Sequence, residues 1–260
     1  MEMKNALEYL EIGIVEYCNL NCKGCSHFSP LAHKSDFIEV EEYETDIKRM
    51  SSLVPIIYKI RILGGEPLLH PNLNEIINIT RQYYPFTEIH VVTNGLLLTT
   101  KKDELDTWAN KDIFVDISMY PPTQLVKNEI EELLQKKKIK YSFTELISEF
   151  RKRMDISGNN NIEKAYKQCV VGSNCKYLYK GKLSGCPAPN VVRLFDRFFK
   201  HTLSYSDDMI DIHMTQLSTK EILEKLNRPL QMCRYCTQPV EIKWENNLHE
   251  YKEEDWLVEK

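Results

Sequence analysis

Apolar positions from the N-terminus to about Phe150 follow two periods, one typical of strands and the other of helices. Short runs rich in β-branched residues predict five strands, and longer stretches with apolar residues three or four positions apart predict helices between them. The predicted strands are 9–17, 57–65, 88–95, 112–120 and 139–146. The predicted helices are 39–54, 71–84, 101–110 and 123–138. Strands and helices that alternate at this spacing form right-handed βαβ units around a parallel sheet.

The fold class that follows is α/β. A sixth strand is predicted near 192–199, so the strands are too few for a closed eight-stranded barrel and form a partial, open (β/α)6-type barrel. A small C-terminal domain made of a β-hairpin and a helix is predicted to follow it. Because the chemistry of parallel sheets lies at the carboxyl ends of the strands, the loops that leave those ends are the candidate site.

The pattern changes near residue 150. The polar, Asn-rich stretch 150–168 predicts a linker or lid, and 176–186 predicts a β-hairpin that turns at Lys180-Gly181. A helix is predicted over 218–227, with Ser218 as N-cap and Glu221 completing a capping box. The predicted domains are a barrel over 1–150, extending toward 200, a second domain over 165–240, and a tail over 241–260.

Charge and composition exclude several classes of protein. The chain has 34 basic and 38 acidic residues and a formal net charge of −4, which gives no footprint for nucleic acid. No uncharged apolar run approaches the ~20 residues of a membrane helix, so no membrane partner is expected. Acidic residues interrupt the apolar N-terminal stretch, and no small-residue cleavage site follows it. We therefore expect a cytoplasmic protein without a signal peptide.

The eight cysteines form two groups, separated by a long stretch from Ser26 to Gln168 that contains none. The first is Cys18, Cys22 and Cys25, and the second is Cys169, Cys175, Cys186, Cys233 and Cys236. Ligand-like spacing in a chain without an export signal favours metal sites over disulfides. Thiolates select zinc or iron–sulfur clusters, and the first group leaves a fourth coordination position open. His27 is the residue that would close that group into a structural zinc site.

The C-x3-C-x2-C motif after the first strand is paired with Gly64-Gly65-Glu66-Pro67 after the second strand. This combination resembles the radical S-adenosylmethionine (radical SAM) superfamily. The resemblance implies a [4Fe–4S] cluster on Cys18, Cys22 and Cys25, whose open iron binds the amino and carboxylate groups of S-adenosylmethionine. One-electron reduction would then cleave S-adenosylmethionine and give a 5′-deoxyadenosyl radical, which takes a hydrogen atom from the substrate.

The resemblance also implies which further residues bind S-adenosylmethionine. They are Gly64, Gly65, Glu66, Pro67, Asn94, Ser118 and Arg153. The glycines would let the backbone approach the ligand, and Arg153 would hold the methionine carboxylate or, as the alternative, contact a polar substrate. An ordinary Asn-Gly turn and a solvated strand end remain open as interpretations of Asn94 and Ser118.

One residue departs from the family pattern. Many members carry an aromatic residue directly before the third cysteine, where it packs near the adenine, but this chain has Gly24. Tyr17 or Phe28 is expected to supply that packing instead.

In the second group, Gly181-x4-Cys186 followed by Cys233-x2-Cys236 resembles the twitch domain, the shortened form of the SPASM extension of radical enzymes. This resemblance implies one auxiliary [4Fe–4S] cluster held by Cys186, Cys233, Cys236 and, as fourth ligand, Cys169. Cys175 is predicted to be the alternative ligand, a buried small residue, or a catalytic hydrogen-atom donor. A structural zinc site on the same ligands is the alternative for the group.

The architecture resembles the short twitch-domain dehydrogenases that oxidise a secondary alcohol of an aminocyclitol. We therefore expect an oxidoreductase with a small polar substrate, the auxiliary cluster as electron acceptor, and a flavodoxin or ferredoxin as electron donor. A peptide maturase is one alternative, although the short segment before the first strand predicts no peptide-recognition domain there. The others are an epimerase that uses Cys175 and a non-catalytic iron–sulfur or zinc protein.

Overall fold

The computed structural model describes residues 5–169, 174–203, 206–246 and 250–259. Its strands are β1 (Leu7–Val15), β2 (Ile57–Gly64), β3 (Glu88–Thr93), β4 (Ile113–Ile117), β5 (Lys140–Phe143), β6 (Glu149–Met154), β7 (Tyr177–Tyr179), β8 (Lys182–Ser184), β9 (Met209–Asp211) and β10 (Cys236–Lys243). Its α-helices are α1 (Val40–Leu53), α2 (Leu73–Tyr83), α3 (Pro121–Leu125), α4 (Lys127–Lys136), α5 (Ile162–Lys167), α6 (Ala188–Phe199) and α7 (Thr219–Leu226). None of the helices in these ranges is long and apolar enough to cross a membrane.

Eight strands form one sheet in the order β5-β4-β3-β2-β1-β7-β8-β9. The first six in this order are parallel neighbours, and β7, β8 and β9 continue the sheet as antiparallel neighbours. A separate antiparallel pair joins β10 to β6. The predicted α/β class, an open sheet that is largely parallel, is confirmed. The predicted division into domains stays a prediction, since the hairpin β7–β8 extends the same sheet as the barrel strands.

The two faces of the sheet pack differently. Leu10, Ile12 and Ile14 of β1 belong to one apolar cluster with buried residues of α1 such as Ile47 and Met50. Because alternate residues of a strand point to opposite faces, Glu11 lies on the other face. That second face carries an apolar cluster near the strand ends and, farther from them, a set of polar side chains.

Three sequence predictions are wrong, each for a physical reason. The segment near 192–199 belongs to helix α6, whose buried residues Val191, Val192, Leu194 and Phe195 follow a helical period, with proline in its first turn. The sixth parallel strand is β7 instead.

Residues 101–110 form two short 3-10 turns rather than an α-helix. Trp108 is fully buried there, and its indole N–H donates to Asn74 Oδ1 at 2.7 Å, so a tertiary contact overrides local helix propensity. The stretch 150–168 contains β6 and α5 rather than a linker, because Phe150 is paired with Ile242, a partner far away in the sequence.

The hairpin and the capped helix occur as predicted. Lys180 and Gly181 both have positive φ, as a two-residue turn of type I′ requires. Ser218 caps α7 and forms the capping box with Glu221.

Candidate active site

The first cysteine group lies on the loop that leaves the carboxyl end of β1. The loop is a series of tight turns, in which the Cys25 amide donates to the Cys22 carbonyl at 3.2 Å and the Phe28 amide to the Cys25 carbonyl at 2.9 Å. The Leu20 amide donates to Cys18 Sγ at 3.4 Å. These turns place the three thiols on one short segment at the active edge of the sheet.

The Gly64-Gly65 pair lets the second loop pack directly against the first. The Gly65 amide donates to the Val15 carbonyl at 2.8 Å, and the Glu66 amide donates to the Tyr17 carbonyl at 3.0 Å. A Cβ atom on Gly64 would lie 1.9 Å from the Val15 oxygen, and one on Gly65 would lie 2.1 Å from the Tyr17 oxygen. The glycines are therefore required by the neighbouring backbone, a reason that the sequence does not reveal.

Glu66 ties the second loop to the end of β3. Its fully buried carboxylate accepts hydrogen bonds from Thr93 Oγ1 at 2.6 Å, the Asn94 amide at 2.8 Å and the Leu68 amide at 3.0 Å. Burial raises the pKa of Glu66 and the three donors lower it, with a net value of about 7. Pro67 starts the 3-10 turn that Glu66 caps. Glu66 therefore organises the protein side of the site, and its predicted contact with the ligand stays a prediction.

Asn94 and Ser118 lie at the ends of β3 and β4. The Asn94 side-chain amide donates to Asn19 Oδ1 at 2.7 Å and faces Cys18 Sγ at 3.6 Å, so it joins β3 to the cysteine loop. Ser118 is half-buried, and its amide donates to the Thr93 carbonyl at 2.9 Å. Asn94 thus contacts the cysteine loop, whereas Ser118 is bonded to the end of β3, and the predicted ligand contacts of both residues stay predictions.

The C-terminal segment (residues 241–246 and 250–259) covers the cysteine loop, a contact that sequence reasoning missed. The Trp244 indole donates to Cys22 Sγ at 3.2 Å, and the Trp256 indole donates to the Cys25 carbonyl at 2.9 Å. The Asn21 amide donates to Asn246 Oδ1 at 2.7 Å. Two of the chain's three tryptophans within a polar, acidic tail were the signal that this segment packs against something.

The backbone at Gly24 accounts for the departure there. Its φ is +70°, a left-handed conformation that an aromatic residue rarely adopts, and a Cβ would also lie 2.8 Å from Ile242 Cδ1 of β10 and 3.3 Å from the Asp255 carbonyl oxygen. Phe28 is buried between the rings of Phe195 and Trp256, whereas the Tyr17 hydroxyl donates to the Leu69 carbonyl. The predicted adenine contact of either residue stays a prediction.

The thiols of the first group influence one another electrostatically. Cys18, Cys22 and Cys25 interact with one another, and burial raises the pKa of Cys22 to about 12 and that of Cys18 further. A buried thiolate is therefore costly unless a metal compensates its charge. His27, the residue that would close a zinc site, packs against Tyr177 and interacts with Glu11.

Four cysteines of the second group come together from four different elements. Cys169 follows α5, Cys186 follows β8, Cys233 lies in the 3-10 turn Gln231–Tyr235, and Cys236 begins β10. Each interacts electrostatically with the others, and burial raises the pKa of Cys236 to about 12. Asp208 holds the 3-10 turn by accepting the Gln231 and Met232 amides, each at 2.6 Å.

Within the ranges that the structure describes, no three His, Cys, Asp or Glu side chains converge tightly enough for one metal ion. A cluster of several iron and sulfide ions spans a wider ring of thiolates than a zinc ion, whose sulfur ligands lie about 2.3 Å away. Thiolates are ligands of zinc and of iron–sulfur clusters, so the all-thiol donor set of each group is compatible by its chemistry with an iron–sulfur cluster.

Cys175 lies apart from the other cysteines of the second group, and Arg153 lies near that group. Cys175 neighbours Glu11 and Arg61 rather than the other cysteines, and burial, with the Glu11 charge, raises its pKa to about 11. Arg153 lies on β6, and its charge acts on Cys236 of the second group. The predicted roles of both residues stay predictions.

Polar side chains of β1 to β4 line one face of the sheet, and Cys175 lies beside two of them, Glu11 and Arg61. The Tyr9 hydroxyl donates to Glu11 Oε1 at 2.5 Å and accepts from Arg61 at 3.1 Å. Arg61 also pairs with Asp116 at 3.0 Å, and His90 Nδ1 lies 3.1 Å from the same carboxylate oxygen. Arg61 precedes the last residue of β2 by three residues, about 10 Å along the strand, and Asp116 precedes the last residue of β4 by one.

Comparison with known proteins assigns the part of the chain that contains the three-cysteine loop to a family. A profile of the radical SAM superfamily matches residues 12–158. The GTP 3′,8-cyclase of Trichodesmium erythraeum is 30% identical over 106 residues, which are 39% of this chain and 31% of that protein. The GTP 3′,8-cyclase of Microcystis aeruginosa is 34% identical over 98 residues, or 36% and 29%. The match thus spans about a third of the length of these curated relatives.

Solved structures share the fold over most of the chain. BtrN in complex with AdoMet and 2-DOIA superimposes with a TM-score of 0.54 at 18% identity, covering 89% of this chain and 93% of BtrN. BtrN in an open conformation gives 0.53 at 20% identity, covering 92% and 94%. The family match contains the three-cysteine loop, the Gly64–Pro67 loop and Asn94. The chain therefore belongs to the radical SAM superfamily of enzymes, and this membership implies a [4Fe–4S] cluster and S-adenosylmethionine as cofactors.

Proposed function

We propose that this enzyme is a radical SAM oxidoreductase that dehydrogenates a small polar substrate, with an auxiliary cluster as electron acceptor. The proposal rests on one observation: Cys169, Cys186, Cys233 and Cys236 lie close enough to interact electrostatically with one another. Four thiols would ligate every corner iron of a [4Fe–4S] cluster and leave no iron open for substrate. A cluster ligated in this way is suited to accept an electron.

The cofactor of the first group, when bound, supplies one-electron cleavage of S-adenosylmethionine and hence abstraction of a hydrogen atom. The substrate carbon that loses this atom must next lose one electron and the proton of its hydroxyl to become a carbonyl. The electron would go to the second cysteine group. The proton would go to a base on the polar face of the sheet.

That polar face has the groups to hold a hydroxylated or amino-substituted molecule. Glu11 and Asp116 are acceptors and Arg61 and Tyr9 are donors, all in contact within one network. Although burial opposes ionisation of Asp116, the bond from His90 and the charge of Arg61 keep its pKa below the usual value. An ionised carboxylate is the chemical form that accepts a proton.

Epimerisation is a second candidate, and the position of Cys175 favours it. Its thiol lies beside Glu11 on the same face, where a hydrogen atom could return to a substrate radical. This reaction leaves a thiyl radical on Cys175, which needs one electron from the external donor and one proton before the next turnover, and it delivers no electron to the second cluster. GTP cyclisation is not carried over from the cyclases, because the match covers only about a third of their length.

Iron content and product analysis test the proposal. Anaerobic reconstitution should give about eight irons per chain, and dithionite with S-adenosylmethionine should release 5′-deoxyadenosine. A screen of polyols and aminocyclitols should yield a product two hydrogens lighter than its substrate. A flavodoxin or ferredoxin should replace dithionite as electron donor.

Matched cysteine variants separate the candidates. Cys236→Ala should lower the iron content to about four per chain and abolish dehydrogenation while S-adenosylmethionine cleavage continues. Cys175→Ala should keep about eight irons and full dehydrogenation. An epimer as product, lost in Cys175→Ala, would replace dehydrogenation by epimerisation. Unchanged iron in Cys236→Ala would contradict the auxiliary cluster.

A further inference from the structure

Trp244 donates a side-chain hydrogen bond from the C-terminal segment to a sulfur of the first cysteine group. Its indole Nε1 lies 3.2 Å from Cys22 Sγ and can only donate. Cys22 is buried, with 7% of its surface exposed, so water competes little for the sulfur. An N–H dipole aimed at a sulfur in such surroundings acts strongly on the charge there.

The surroundings of Trp244 hold the indole in this orientation. Its ring stacks on Tyr120, with 5.6 Å between ring centroids and 27° between planes. Its backbone amide donates to the Ser148 carbonyl at 2.8 Å, and the carbonyl of the next residue, Glu245, accepts the Lys23 amide at 2.9 Å. Stacking on Tyr120, which follows β4, and backbone bonding of Glu245 to Lys23 of the cysteine loop thus hold the indole in place.

We propose that Trp244 is a positioning residue that raises the reduction potential of the cluster on Cys18, Cys22 and Cys25. Reduction adds one electron, supplied by a low-potential donor of the flavodoxin or ferredoxin class, and breaks no covalent bond. The added negative charge falls partly on the ligand sulfurs, and hydrogen bonds to those sulfurs stabilise it. The proposal rests on the cluster that family membership implies and does not depend on the identity of the substrate.

The chain offers a matched pair of variants. Trp244→Phe keeps an aromatic ring against Tyr120 but removes the N–H. Trp256→Phe removes an indole N–H from the same segment that donates to the Cys25 carbonyl oxygen rather than to a sulfur. The two variants separate the effect of the N–H···S bond from general loosening of the segment.

The experiment is a redox titration followed by electron paramagnetic resonance on the anaerobically reconstituted enzyme. Addition of S-adenosylmethionine identifies the first cluster, because only its signal should change. We expect a lower potential in Trp244→Phe and an unchanged potential in Trp256→Phe, with equal iron contents. An unchanged potential in Trp244→Phe, or equal shifts in both variants, would overturn the proposal.

A measurement on the wild-type enzyme covers the case in which Trp244→Phe fails to fold. Incorporation of indole-¹⁵N tryptophan should give a ¹⁵N hyperfine coupling to the reduced first cluster in pulsed resonance spectra. Absence of this coupling would overturn the proposal, as would a wild-type enzyme that takes up no iron on the first group. A failed substrate screen would instead count against the proposed dehydrogenation and leave this result standing.

Discussion

Glu66→Gln tests the role of a buried carboxyl group that joins two loops of the site. Burial raises the pKa of Glu66 from 4.5 to about 7, so the folded chain binds this proton more tightly than the unfolded chain. The stabilising contribution of the protonated carboxyl is complete below pH 4.5 and is lost as the pH rises through 7. Relative to its value below pH 4.5, the stability is therefore lower by about 2 kcal/mol at pH 6 and by about 3 kcal/mol at pH 8.

Glutamine cannot ionise, so the variant should lack this pH dependence. Its amide N–H₂ would face either the Asn94 amide or the Thr93 and Leu68 donors, and this lost acceptor gives a constant penalty of about 1–3 kcal/mol. Between pH 6 and pH 8 the free energy of unfolding of Glu66→Gln should rise by about 1 kcal/mol relative to the wild type.

Denaturant unfolding of the anaerobically reconstituted enzyme at several pH values measures this difference. Glu132→Gln is the control, because Glu132 lies on the solvent side of α4 and its variant should follow the wild-type pH dependence. A wild-type minus Glu66→Gln difference that stays constant from pH 6 to pH 8 would refute the raised pKa. It would show that the three hydrogen bonds outweigh burial and keep the carboxylate ionised.

Three further changes test other parts of the site. Gly65→Ala should lower stability by about 1–3 kcal/mol or more, since its Cβ would overlap the Tyr17 oxygen; a thermal unfolding midpoint equal to that of the wild type would contradict this close approach. Removal of iron by a chelator should speed proteolysis at residues 241–246, because Trp244 and Asn246 bond to the cysteine loop that then loses its metal. Equal digestion of the iron-loaded and iron-free enzyme would contradict this link between metal binding and the C-terminal segment. Asp116→Asn should reduce substrate turnover but leave substrate-free cleavage of S-adenosylmethionine intact in a 5′-deoxyadenosine assay, and equal loss of both would place Asp116 outside substrate binding.

Local patterns predicted the part of the site that is built from short segments. The cysteine spacing, the Gly64–Pro67 loop and the hairpin turn at Lys180-Gly181 each depend on a few consecutive residues. Their positions at strand ends follow from the alternation of strands and helices.

Contacts between distant segments could not be predicted in this way. The pairing of β6 with β10 turned a supposed linker into a strand, and the bond from Trp244 to Cys22 joins positions that lie 222 apart in the chain. Arg153 was assigned by its place in the sequence, but the same pairing brings it to the second cysteine group. In α6, apolar residues on both sides of the polar Arg193 were compatible with a strand or a helix until packing was known.

The contact between Trp244 and Cys22 has a consequence for the order in which the enzyme matures in the cell. Ribosomes make the cysteine loop first and its indole donor 222 positions later. Until then Cys22 lacks this cover, and the nascent chain exposes thiols that oxidants and foreign metal ions can reach. Insertion of iron and sulfide into the first site, if it is to yield a shielded cluster, therefore has to wait until the chain near residue 244 has left the ribosome and folded back.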